Sequence, residues 1–104
     1  MSSQKKMIAD TVEEIKKAID LFYQQKNREA LNVFEKVIGK MMNAVDALFI
    51  YKTEHEGFML DEAKIADILK EAMAALEAGD TVLMADIFQY DFIEYVEELL
   101  EDME

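Results

Sequence analysis

The chain has no cysteine, no proline, three glycines and one histidine in 104 residues. Each scarcity excludes something. Without cysteine there is no disulfide framework, no thiol nucleophile and no thiolate metal site, so a reducing interior is the expected setting. A single histidine, His55, is too few for the usual zinc ligand sets, or for the paired Glu-x-x-His motifs of di-iron bundles. No stretch approaches the roughly 18 apolar residues that span a bilayer. The opening MSSQKKMIAD lacks the apolar run of a secretory leader. A cytoplasmic location is therefore expected. Lack of proline, few glycines and no strand-like alternation point to an all-α fold.

Basic residues are the other scarcity, and they are unevenly spread. Residues 1–52 hold nine Lys/Arg against seven Asp/Glu, a net +2, whereas residues 53–104 hold two against sixteen, a net −14. Backbone-directed binding of nucleic acid needs clustered Lys and Arg, so nucleic acid is excluded as a partner. Anionic membrane surfaces are excluded for the same reason.

What is present is helical periodicity. Over residues 3–24, Ile8, Val12, Ile15, Ile19 and Phe22 step by four, three, four, three, one apolar seam on a first helix. Gln25-Lys26-Asn27 makes a short break, with Asn27 placed to cap a second helix over residues 28–51. There Leu31, Phe34, Ile38, Met41, Val45 and Leu48 repeat the stepping. Ala30, Val33, Val37, Ala44 and Tyr51 widen the stripe toward a second neighbour. Gly39 falls on its polar side, where a close backbone approach is the one reason to expect glycine.

Residues 52–60, KTEHEGFML, form the longest connection, with Gly57 free to take positive φ. Asp61 reads as an N-cap, with Leu60 and Ile65 as its hydrophobic staple. A third helix points Ile65, Leu69, Ala72, Met73 and Leu76 inward and stops at Gly79. Asp80 caps the fourth. Joints this short require antiparallel neighbours. The prediction is one domain over residues 1–104, a four-helix up-down bundle made of two helical hairpins.

The fourth helix carries the anomaly. Its second half is amphipathic, with Phe88, Phe92, Tyr95, Val96, Leu99, Leu100 and Met103 on one face and Glu94, Glu97, Glu98, Glu101 and Asp102 opposite. In its first half Leu83, Met84 and Ile87 point to the side that later becomes acidic. Only Asp86, Gln89 and Asp91 interrupt the apolar surface there. A helix apolar all round is covered on every side, and in a small chain the extra cover is expected to be another chain. Leu83, Met84 and Ile87, with Tyr90 and Glu94 beside them, are the predicted partner interface.

Other constellations carry less chemistry. Glu54-His55-Glu56 offers two carboxylates and an imidazole, but it reads as an exposed loop. Gln89 in an apolar face calls for a hydrogen-bond partner rather than a catalytic role. Glu97-Glu98-x-x-Glu101 resembles the EExxE cluster by which helical nucleotide pyrophosphatases hold magnesium, yet lacks the second acidic motif and the basic residues those enzymes use. The acidic end of the fourth helix and Lys5 and Lys6 at the start of the first both oppose the helix dipole. In a bundle these ends meet and offset one another.

Residues 79–92, GDTVLMADIFQYDF, resemble the last-helix signature of a family of small uncharacterised bacterial helical-bundle proteins. The build (small, acidic, four helices, no cysteine) is similar to flagellar and type III export chaperones. Neither resemblance transfers a catalytic residue. The expectation is a non-enzymatic protein-interaction module without cofactor or metal, self-associating as a homodimer through its last helix. The alternatives are a chaperone or adaptor for an export or motility protein and, more distantly, an acidic-site metal-dependent hydrolase.

Overall fold

The computed structural model describes residues 3–103. Among them all regular structure is helical: α1 (Ser3–Tyr23), α2 (Asn27–Glu54), α3 (Glu62–Glu77) and α4. The last is one continuous helix in three stretches, Thr81–Asp86, a π-helical segment Ile87–Ile93, and Glu94–Glu101. Backbone angles at its internal joins stay right-handed helical, as at Asp86 (φ −63°, ψ −42°) and Glu94 (φ −59°, ψ −43°), so nothing breaks it.

The seam of α1 is buried as its spacing requires: Ile8, Val12, Ile15, Ile19 and Phe22 all lie in the core. Thr11 is buried beside them, and its hydroxyl donates to the Met7 carbonyl at 2.8 Å, which satisfies it locally. An aromatic chain ties α1 to α2 and α4. The centroid distances are 6.2 Å for Phe22–Phe34, 5.5 Å for Phe34–Phe88 and 5.8 Å for Phe88–Phe92.

Both tight joints close in the same way. At the first, Lys26 N–H donates to the Leu21 carbonyl and Gln25 N–H to that of Phe22; at the second, Asp80 N–H donates to Ala75 and Gly79 N–H to Leu76. These are paired Schellman turns. Each needs one left-handed residue, supplied by Gln25 (φ 60°) and Gly79 (φ 76°). Because that turn ends at Lys26, α2 begins at Asn27, and the expected Asn27 cap does not form. Lys26 occupies the cap position without a side-chain bond.

The second helix also packs differently from its predicted seam. Phe34, Met41, Val45 and Leu48 are buried, but so are Ala30, Val37, Ala44 and Tyr51, while Leu31 is exposed and Ile38 only half-buried. The packing of α2 is chiefly with α1, and α3 only begins near the C-terminal end of α2, where Lys52 bonds Glu62 at 3.0 Å. In α3 the stripe turns toward Ile68 and Ala75, leaving Leu69, Met73 and Leu76 half-buried. A Cβ added at Gly39 would meet nothing within 4 Å, so no close approach explains that glycine.

The connection over residues 55–61 is packed rather than open. Phe58 and Leu60 are buried, and Tyr51 stacks on His55 at 3.8 Å and meets Phe58 edge-on at 4.8 Å. Gly57 does not use the left-handed region. Asp61 and Asp80 act as the N-caps expected of them, accepting from Lys64 N–H at 3.1 Å and Leu83 N–H at 3.0 Å.

Among the described residues α1 is joined to α4 by Lys16 to Glu97 at 3.2 Å and Tyr23 to Asp86 at 2.6 Å, and to the residues just past α4 by Lys5 Nζ to the Met103 carbonyl at 3.1 Å. Residue numbers rise on one helix as they fall on the other, so the two run antiparallel. Glu14 turns instead to α2, where it accepts from Lys40 at 2.8 Å. Lys5 thus feeds a donor to the carbonyl end of α4, where a cation offsets the helix dipole.

Candidate functional site

The segment that positions the site is the π-helical stretch, and its cause is legible in spacing. Met84, Phe88, Phe92 and Val96 are all buried, each four residues after the last. Four residues of α-helix overshoot a full turn by about 40°, so three such steps displace the face by about 120°. An i→i+5 turn holds more residues per turn and winds the helix back. With it, Met84, Ile87, Phe88, Phe92, Ile93, Val96 and Leu99 share one inward face.

This corrects the predicted interface. Met84 is 0% exposed and Ile87 9%, so both belong to the chain's own core. A uniform 3.6-residue wheel placed them outward only because it carried the drift through the π turn. Leu83 (47% exposed), Tyr90 (60%) and Glu94 do face solvent, and Val82 is exposed with them. The covering that Met84 and Ile87 require comes from within the chain, where α1 and α3 pack against this part of α4.

Around the exposed residues the surface is polar and acidic. Tyr23, at the end of α1, donates its hydroxyl hydrogen bond to Asp86 at 2.6 Å. Partial burial, and then this bond, hold the Tyr23 hydroxyl well above the ordinary tyrosine value. On the opposite flank a shallow groove is lined by Lys64 and Ile68 of α3 and by Tyr90, Asp91, Glu94, Tyr95 and Glu98 of α4. Tyr95 fixes that flank: its hydroxyl accepts from Asp61 N–H at 2.9 Å, and Lys64 Nζ lies 4.2 Å above its ring. Sequence periodicity did not single out Tyr23 and Val82. The three successive four-residue steps were the available signal for the π turn.

The remaining candidates are placed apart. His55 is half-buried, its Nδ1 3.0 Å from the Tyr51 carbonyl, so it is not the exposed loop residue expected; Glu54 and Glu56 stand exposed beside it. Gln89 lies at the edge of the core, not in the middle of the apolar face, and Asp91 is exposed. Glu97 pairs with Lys16, and that hydrogen bond lifts the Lys16 ammonium above its usual value. Glu98 and Glu101 are exposed. Among the described residues no three His, Cys, Asp or Glu side chains gather in a geometry that could hold a metal ion. Among them, too, no helix is long and apolar enough to cross a membrane.

No curated protein and no solved structure matches the chain. The family model described as a domain of unknown function, DUF8042, matches residues 1–102, and the chain belongs to that family.

Proposed function

We propose that the protein is a non-enzymatic interaction module that docks a partner on the outer face of α4. The observation that carries this reading is the exposure of Leu83 and Tyr90, with Val82 beside them, on the one helix whose backbone departs from regular α geometry. Side chains of this size on a free surface favour being covered, and π-helical turns are frequent at functional sites. We take the scaffold to be an up-down bundle of two hairpins. The α1–α4 links and the matching Schellman turns support that arrangement.

A second copy of the chain is the simplest alternative occupant. Burial of Met84 and Ile87 removes two of the five residues that would have formed a dimer contact. A chaperone or adaptor role for an export or motility protein rests on build alone and draws on no residue. An acidic-site hydrolase would need Glu97, Glu98 and Glu101 to face a metal together, whereas Glu97 is engaged by Lys16.

Selection from an unbiased displayed library of helical peptides tests the docking reading. Clones retained by the native protein and lost on a Leu83→Ser/Tyr90→Ser double variant with native helicity support it. Clones retained equally by both proteins place binding elsewhere and overturn it.

A further inference from the structure

We infer that the occupant of this face is a basic amphipathic helix from another protein, with apolar side chains for Leu83 and Tyr90 and Lys or Arg for the carboxylates flanking them. The inference rests on the docking reading and adds the chemistry of the partner. Its first support is shape. The shallow groove between α3 and α4 runs beside Tyr90, and a cleft between two near-antiparallel helices accepts a third helix through anchors spaced by three, four or seven residues. Leu83 and Tyr90 both stand exposed on α4, seven positions apart, with Tyr90 inside the π segment.

Charge then selects the partner. Asp91, Glu94 and Glu98 line the groove, and Asp86 lies between the two exposed apolar residues along α4. Lys64 lines the groove with them as its one basic residue, and its ammonium is turned over the Tyr95 ring. The half of the chain that builds this surface carries a net −14. An acidic partner, or a second copy docking through the same face, would set carboxylate against carboxylate, which penalises wrong partners by like-charge contact. A basic helix reverses that sign, and an Arg guanidinium can also stack on the exposed Tyr90 ring. Membranes and nucleic acids present anions and are repelled.

The test uses the full chain and three labelled synthetic amphipathic helices sharing one leucine stripe, with lysine, glutamine or glutamate on the polar face, titrated by fluorescence anisotropy. The lysine peptide is expected to bind at least about tenfold more tightly than the other two. That binding should weaken severalfold as salt rises. It should also weaken about tenfold in Leu83→Ser/Tyr90→Ser, a variant that leaves every charge in place. Equal binding of the lysine and glutamine peptides, lost in that variant, would keep the docking face and overturn the basic partner. Lysine-peptide binding unaffected by the variant would mean diffuse attraction to the acidic half and overturn both readings, as would no binding at all. A concentration-dependent dimer by light scattering, dissociated by the same variant, would name a second copy as occupant and also overturn the inference.

Discussion

The two helical hairpins close with the same turn and differ in almost everything else. The α1–α2 hairpin is nearly neutral, its helices run as uninterrupted α-helix, and its left-handed turn residue is a glutamine. The α3–α4 hairpin is strongly acidic, turns on a glycine and carries a π segment in its last helix. The contrast teaches where sequence spacing is a safe guide. In α1 the alternation of four and three keeps the apolar stripe within one face, and each expected residue is buried. In α4 three consecutive steps of four cannot stay on one face unless the helix unwinds.

The sharpest way to break this comparison is to delete one residue from each helix. Removing Lys17 from α1 turns Ala18, Ile19 and Phe22 away from the core by about 100°. The loss should exceed the roughly 5–15 kcal/mol that keeps a small domain folded, and circular dichroism should show an unfolded chain. Removing Gln89 from the π segment restores a four–three alternation, so that variant should remain helical with a cooperative melt. Equal damage from both deletions would show that the π turn does not arise from the spacing.

Exchanging the turn chemistry should have smaller effects of opposite sign. Gly79→Ala puts a Cβ into the left-handed region and should cost about 1 kcal/mol. Gln25→Gly relieves the same strain in the other hairpin and should raise stability by up to about 1 kcal/mol, offset in part by the added freedom of the unfolded chain. Urea titrations of both variants read the signs directly.

The smallest expected effect is at alkaline pH and concerns the seam between the hairpins. Tyr23 and Lys16 both hold their protons more tightly in the folded chain, against ordinary values of 10.0 and 10.5. A raised folded-state pKa gives stability that is complete below the ordinary value and lost as pH rises through the folded one. Melting temperature should therefore fall above about pH 10. Tyr23→Phe should make that fall shallower, by less than about 1 kcal/mol because water screens these half-exposed pairs.

Much of the fold was legible in the residues themselves. Asp61, Gly79 and Asp80 announce helix ends through local chemistry, and local chemistry does not depend on what packs around it. The stripe of α1 was equally readable. The burial of Ala30 over Leu31 was not, because it depends on how α2 seats against α1, a relation between separate elements. The site was half legible. Leu83, Tyr90 and Glu94 are exposed as expected, but Met84 and Ile87 were assigned outward by a wheel that ignores the π turn. Tyr23 joins the surface only through its contact with Asp86 across 63 positions of sequence.

The division between buried and exposed apolar residues on α4 underlies both the fold and the proposed docking face, and one paired measurement tests it. Ile87→Glu and Leu83→Glu differ by a single helical turn and introduce the same charge. Chemical denaturation of the two should show Ile87→Glu losing several kcal/mol or failing to fold, as a buried unpaired carboxylate does. Leu83→Glu should stay within about 0.5 kcal/mol of the native chain. Equal tolerance of both, or unfolding by Leu83→Glu alone, would contradict the register of α4 and the surface built on it.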